Sequence, residues 1–310
     1  MRGLLIVNPH ATATTGNAAA VVTRSLAGLV DLDVEHTRHR GHARDLAAAA
    51  RTDLVLVLGG DGAVNEAVNG LMSAAGTSAD GRGQPPLIGV IPGGGANVFA
   101  RGLGLPADTA AAVGRIRNVI AAGSYRTIGL GLAGDRYFTF SAGLGMDAEV
   151  VREVEVLRAR GSRQNTSLYV RAVLRRYLGG TDRRSPALTV VADGRPPADG
   201  LFLTIITNRS PWTYIRGRAL LPVPDPDFNS GLDLLALRRV RLTTIAAMVG
   251  QLLWIRSRPP RGRDMLSALG VESLAVRSRR PIAFHVDGEY LGETEGVTFR
   301  FVPHALRVAA

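Results

Sequence analysis

The chain has 310 residues, with 37 basic against 26 acidic side chains and a formal charge of +11 at pH 7. It has no cysteine, and all 37 basic residues are arginine. Those two absences exclude a disulfide framework, a thiolate nucleophile, a zinc finger, a Walker A lysine, a protein-kinase strand lysine and a Schiff base. At roughly 150 residues per domain the length suggests two domains.

Met1 to Val7 holds an apolar run too short for a signal peptide, and it leads into Asn8-Pro9 as a first strand. Leu4–Val7, Val34–Thr37, Leu54–Leu58 and Leu87–Ile91 are the strands expected in the first third of the chain. Between and after them, Ala18–Leu29, Ala43–Ala50, Ala63–Ala74 and Thr109–Ala122 are the expected helices. Unbroken Leu/Val/Ile runs are buried on both faces, so residues 1–125 read as a doubly wound α/β domain with a parallel sheet. Ser73–Gly83 reads as a loop.

After Tyr125 the texture changes to short, turn-punctuated segments, and residues 126–302 read as an antiparallel β domain. Its expected strands are Tyr137–Ala142, Ala187–Ala192, Leu201–Thr207, Leu232–Leu237, Leu274–Arg277, Ile282–Val286 and Val297–Phe301. Two helices interrupt them, near Ser167–Leu178 and Leu242–Ile255, and Arg158–Asn165 reads as a second loop. The uncharged Leu242–Ile255 stretch is shorter than the ~18 residues of a membrane span. Leu242, Ile245, Val249 and Leu252 recur at helical spacing, which favours a helix packed on a core. The following arginines, Arg256, Arg258, Arg261 and Arg263, lie in a Pro/Gly-broken loop suited to an anionic membrane surface.

Leu54–Leu58 runs straight into Gly59-Gly60-Asp61-Gly62, and a helix follows through Asn65, Glu66, Val68 and Leu71. Beyond the carboxyl end of a parallel strand, glycines let backbone amides approach a phosphate and the helix N-terminus adds a positive dipole. Such a cradle needs no lysine. It is not the dinucleotide fingerprint, because Asn65 stands where that pattern has its third glycine. The Leu87–Ile91 strand ends alike, in Pro92-Gly93-Gly94-Gly95-Ala96-Asn97, so two glycine loops at strand ends share one crevice.

Gly59-Gly60-Asp61-Gly62-Ala63-Val64-Asn65-Glu66-Ala67-Val68-Asn69-Gly70-Leu71 resembles the signature of the diacylglycerol kinase catalytic-domain family. Bacterial lipid kinases and sphingosine and ceramide kinases belong to that family, and NAD kinases and phosphofructokinases are its distant relatives. Further matches are Asn8-Pro9, Thr37 with Gly41-His42-Ala43, Asn97 to Arg101 with Gly104-Leu105-Pro106, Phe138 to Asp147 with Gly143 and Gly145, Asn208, and Asp287-Gly288-Glu289. The resemblance implies an α/β nucleotide domain followed by a β-sandwich, with residues 303–310 returning to the first domain.

It further implies ATP with its phosphates on Gly59, Gly60, Asp61 and Gly62, accompanied by Mg2+ and lined by Asn8, Pro9, Thr12, Thr37, Asn65, Glu66, Gly94, Gly95 and Asn97. The γ-phosphoryl group would pass to a lipid hydroxyl, with diacylglycerol the first choice of acceptor and phosphatidic acid the product. Asp61 and Glu289 are the implied catalytic residues, Glu289 as general base toward the hydroxyl. The implied setting is cytoplasmic, at the anionic inner face of the cell membrane, with a homodimer left open. A structural magnesium loop maps to Asp227, Ser230 and Leu232, and Asp225 and Asn229 add oxygens to it. The chain departs from the family pattern at Gly95, Val98, Gly129 and Ser230, where threonine or aspartate is usual.

Asp287-Gly288 by itself reads as a hairpin turn and Asp147 as structural at a tight junction. His36, His39 and His42 read as part of a solvated arginine-rich loop, since no carboxylate or cysteine completes a metal set. The rival readings are a NAD kinase, a sphingoid or other lipid kinase, a nucleotide-binding relative with weakened catalysis and, from another class, a nucleic-acid-binding protein. The last is disfavoured because the arginines are spread along the chain and only eight Phe, six Tyr and two Trp are available for stacking.

Overall fold

The computed structural model describes residues 1–11, 17–77, 85–160, 166–179, 184–208, 211–215, 217–221, 227–254 and 258–310. The chain forms two compact units: Met1–Gly129 with His304–Ala310, and Leu130–Pro303.

Unit 1 runs β1 (Arg2–Val7), α1 (Ala18–Leu26), β2 (Asp31–His36), α2 (His42–Ala49), β3 (Leu54–Gly59), α3 (Asp61–Thr77), β4 (Leu87–Pro92), α4 (Val98–Gly102), α5 (Thr109–Ala122) and the first half of β5 (Arg126–Ala133). β4, β3, β1 and β2 lie side by side in that order, all parallel. The last residues of the chain add to this sheet, Val308 pairing in parallel with Ile88. β3 and β4 are buried at every position, as their unbroken apolar runs require of central strands. β2 differs. It is an edge strand exposed along most of its length, and Asp31, Asp33 and Glu35 discourage pairing by another chain there.

Helix ends follow local chemistry. α5 begins where the Asp108 carboxylate accepts the Ala111 N–H at 2.8 Å and ends at Gly123, whose φ of +62° suits the left-handed cap. Ser73 to Thr77, expected as loop, continue α3, and the Ser73 hydroxyl bonds back to the Gly70 carbonyl at 2.9 Å. Residues 78–83 of that expected loop lie outside the described residues. Gly70 lets α2 and α3 cross closely, since a Cβ there would stand 2.2 Å from the Arg44 carbonyl oxygen.

Unit 2 completes β5 and continues with β6 (Arg136–Phe138), β7 (Ser141–Gly145), α6 (Met146–Ala159), α7 (Thr166–Gly179), β8 (Leu188–Ala192), β9 (Ala198–Leu201), β10 (Leu203–Thr207), β11 (Thr213–Ile215), β12 (Arg218–Leu220), β13 (Leu232–Leu237), α8 (Leu242–Trp254), β14 (Met265–Val271), β15 (Ser273–Val286) and β16 (Glu289–Val308, which leaves the unit after Pro303). Its strands run β14-β13-β10-β7-β15-β16, each pair antiparallel. One core lies among the strands around Phe138, Leu274 and Phe299. A second joins β10 and β13 to α6, α7 and α8 through Met146, Val154, Leu157, Phe202 and Leu252. The architecture is the expected α/β nucleotide-binding domain followed by an antiparallel β domain.

α6 is the principal element missing from the sequence expectation, and it takes in Arg158 of the expected loop, whose residues 161–165 lie outside the described residues. Its buried Met146, Val150, Val154 and Leu157 recur at helical spacing, a signal available in the sequence. The expected Tyr137–Ala142 strand is broken into β6 and β7, because the N–H groups of Thr139, Phe140 and Ser141 turn to a carboxylate described below. Leu274–Arg277 and Ile282–Val286 join into one β15, with the register shift between Arg277 and Ile282 absorbing the interruption.

Candidate functional site

The two glycine loops of unit 1 are joined by backbone and side-chain bonds. The Gly93 N–H donates to the Gly59 carbonyl at 2.9 Å, extending the β3–β4 ladder past the strand ends. Gly60 and Gly94 then meet so closely that a Cβ on Gly94 would lie 2.6 Å from the Gly60 Cα. Asp61, in the first turn of α3, reaches to the second loop, where its two carboxylate oxygens accept the N–H groups of Val98 at 3.0 Å and Phe99 at 3.1 Å. Asp61 thus satisfies the exposed donors of α4 while it stands at the N-terminus of its own helix.

Asn97 holds the second loop from inside. Its backbone is left-handed, at φ +48°, and its amide accepts from Gly94 N–H at 2.8 Å and donates to Gly94 O at 2.7 Å. Glu66 faces another element: its carboxylate accepts from Gly41 N–H at 2.8 Å and Ala43 N–H at 3.3 Å, capping α2. Asn65 is buried beneath the loop and its carbonyl and side-chain oxygen accept from the Asn69 amide. Asn8 continues β1 by donating to Leu58 O at 2.9 Å, and its side chain accepts from His10 N–H at 3.0 Å in a tight turn. Pro9 lies within that turn, Thr37 N–H bonds to Val7 O at 2.8 Å at the end of β2, and Thr12 lies outside the described residues. Gly62 is exposed and open on its outer side, with no atom within 4 Å of the place a Cβ would take, and Gly95 is exposed as well.

Unit 2 holds the other motif residues. Glu289 forms a short ion pair with Arg136, and both side chains are largely screened, at 17% and 26% exposure. Asp287, read as a turn residue, is a buried structural anchor. It accepts from Thr139 N–H at 2.7 Å and Thr139 Oγ1 at 2.8 Å on one oxygen, and from Phe140 and Ser141 N–H at 3.0 Å each on the other. Burial pushes its carboxyl above the ordinary 3.8, and these hydrogen bonds pull it partly back. Asn208 secures the same segment through Phe140 O at 3.0 Å and Thr139 O at 3.4 Å. His285 lies beside Gly143 across the β7–β15 ladder and meets Asp147 at 2.7 Å. The sequence singled out Asp147 without its partner.

The expected magnesium loop is partly described. Asp227 accepts from Asn229 N–H at 3.0 Å and from the Ser230 hydroxyl, so both of its oxygens serve the turn. Leu232 is fully buried at the start of β13, and Asp225 lies outside the described residues. Among the described residues no three His, Cys, Asp or Glu side chains group to hold a metal. Of the histidines, His42 Nδ1 accepts from Arg38 N–H at 3.1 Å and stacks on His39 with ring centroids 4.9 Å apart.

Two strand ends opening into mutually bonded glycine loops, one of them at the N-terminus of a long helix, define an α/β nucleotide-binding fold. Residues 2–130 match the family model of the diacylglycerol kinase catalytic domain. A diacylglycerol kinase of Bacillus subtilis is 29% identical over 266 residues, 82% of this chain and 77% of that one. A diacylglycerol kinase of Staphylococcus carnosus is 30% identical over 251 residues, 78% of this chain and 71% of that one. The chain belongs to the diacylglycerol kinase catalytic-domain family. Its fold is shared with the crystal structure of a diacylglycerol kinase from Bacillus anthracis, at TM-score 0.69 and 19% identity over 99% of this chain and 96% of that one. An NAD kinase from Archaeoglobus fulgidus, solved in complex with ATP, shares the fold more distantly, at TM-score 0.52 and 11% identity over 100% of this chain and 94% of that one. No helix among the described residues is long and apolar enough to cross a membrane.

Proposed function

We propose that the protein is an ATP-dependent lipid kinase whose favoured acceptor is diacylglycerol and whose product is then phosphatidic acid. The observation that carries this reading is the pair of interlocked glycine loops at the N-terminus of α3, in a chain of this family. Backbone amides around Gly60, Asp61 and Gly62 would receive the phosphates, with Asn8, Pro9, Thr37, Asn65, Gly94, Gly95 and Asn97 shaping the surroundings. In this reading Asp61, Glu66 and Asn97 are positioning residues, because each spends its side chain on the backbone of a loop or helix end.

Glu289 acts as general base toward the lipid hydroxyl. Its carboxylate takes the proton as the hydroxyl oxygen bonds to the γ-phosphorus and the bond to the β–γ bridging oxygen breaks, releasing ADP. Magnesium belongs to this reading as the partner of the triphosphate, and no step is assigned to a protein-held ion. The setting is the anionic inner face of a cell membrane, where such an acceptor lies.

The test is labelled ATP incubated with diacylglycerol, a sphingoid base, a polyprenol and NAD in mixed micelles containing magnesium. Labelled phosphatidic acid is the expected product. Labelled NADP, or no labelled lipid from a preparation that binds ATP, would overturn the reading.

A further inference from the structure

β15 and β16 meet at the Asp287-Gly288 turn, where Val286 pairs with Glu289 as the first pair of the hairpin and His285 pairs with Tyr290 directly behind it. Beyond that pair the register shifts. Phe284 lies opposite Gly292, so Leu291 is an extra residue on β16, and Gly292 takes up the irregularity at φ +108°. Such a bulge bends its strand and re-aims the side chains beside it, so ladder pairing alone does not set the direction of Glu289.

α6 supplies the further restraint. Its apolar side is buried through Met146, Val150, Val154 and Leu157, which makes the helix a fixed platform. From that platform two carboxylates each hold one member of the pair behind Glu289. Asp147, in the first turn, meets His285 Nε2 at 2.7 Å, and Glu155, two turns further on, accepts the Tyr290 N–H on Oε1 at 3.0 Å. Between them Arg152 lies over the Tyr290 ring at 5.5 Å and pairs with Glu293 at 3.5 Å, beyond the bulge. That last pair is exposed and weak, whereas a carboxylate on a partly buried backbone N–H makes a strong, directional bond.

We propose that Glu155 is a positioning residue for the base. By holding the Tyr290 backbone it sets the direction in which the neighbouring Glu289 presents its carboxylate to the acceptor hydroxyl, while Arg136 holds the carboxylate itself. The inference rests on the lipid-kinase reading and on Glu289 as its base. A displacement of about 1 Å at a reacting group can cost about 10²-fold in rate, so a backbone tether next to the base has a kinetic consequence without touching substrate.

The test uses the full chain and separates reach from charge. Glu155→Gln keeps an oxygen that reaches the Tyr290 N–H and removes the charge, whereas Glu155→Asp keeps the charge and withdraws the oxygens by one methylene. Glu153→Gln, which weakens a 3.4 Å pair with Arg175 on the same helix, is the control. The measurements are kcat with the lipid that the wild type phosphorylates, KM for ATP, and amide hydrogen exchange of residues 286–292. In Glu155→Asp, kcat should fall by about tenfold at unchanged ATP KM, and the hairpin amides should exchange faster. Glu155→Gln and Glu153→Gln should stay within about twofold of the wild type in both readouts. In a Glu289→Gln background Glu155→Asp should lower kcat no further, because it acts through Glu289. Wild-type kcat or exchange in Glu155→Asp, an equal loss in Glu155→Gln, or an undiminished loss in the Glu289→Gln background would overturn the inference and leave the kinase reading standing. A wild-type chain that labels no lipid removes the kinase reading, and the inference with it. Far-ultraviolet circular dichroism and the melting temperature establish that each variant is folded before rates are compared.

Discussion

His285 Nε2 and Asp147 Oδ2 stand 2.7 Å apart in a space that exists because residue 143 is glycine. A Cβ on Gly143 would lie 2.3 Å from that Asp147 oxygen and 2.8 Å from that His285 nitrogen. Both side chains are nearly buried, at 2% and 9% exposure, so separating them strands polar groups away from water. Gly143→Ala is expected to lower unfolding free energy by about 3 kcal/mol, read from urea denaturation. His285→Ala and Asp147→Ala should each destabilise, and the double variant should lose less than the sum of the two. Strict additivity would show that the pair is not coupled.

Asp287 supplies a pH signature. Its carboxyl is raised above 3.8 by burial, opposed by the bonds from Thr139, Phe140 and Ser141, so the native state holds the proton more tightly than the unfolded chain does. The stabilisation from that protonated form is complete below the ordinary carboxylate range, declines as pH rises through the shifted value, and is constant above it. Wild-type stability minus that of Asp287→Asn should therefore fall as pH is raised from about 3 to about 8. A difference that grows with pH would sink the argument. Asp287→Ala removes the acceptor of four hydrogen bonds and should cost about 3 kcal/mol or more at any pH.

The glycine contacts separate a packing role from a binding role. Gly70→Ala drives a Cβ into the Arg44 carbonyl and should cost about 2 kcal/mol of stability by forcing α2 and α3 apart. Gly94→Ala instead pushes the two glycine loops apart at Gly60. If those loops hold the nucleotide, ATP affinity should fall by about tenfold, or about 1.4 kcal/mol, with a smaller change in melting temperature. Unaltered ATP affinity in Gly94→Ala would argue against the phosphate cradle.

Glu289→Gln tests the proposed base. Turnover of the lipid acceptor should fall by about 10² to 10⁴ while ATP affinity is kept. Arg136→Gln removes the ion-pair partner of Glu289 and should lower turnover less than Glu289→Gln does. Near-normal activity of Glu289→Gln would remove this residue from the reaction.

Local sequence alone determined the strand and helix order of the first third, because unbroken apolar runs and alanine-rich stretches state their own periods. It also determined the glycine loops, whose function depends on backbone freedom beside a strand end, and it excluded lysine- and cysteine-based chemistry outright. The return of residues 304–310 to the parallel sheet was less legible, because pairing is not local, whereas α6 carried a helical spacing that the reading passed over. Tertiary structure alone decided what the polar residues do. Asp61 belongs to α4 as much as to α3, Glu66 caps α2, Asp287 holds residues 139–141, and Glu289 meets an arginine 153 positions away. The physical reason is that apolar burial repeats along the chain with the geometry of its element, whereas a buried polar group must find its partner wherever the fold presents one.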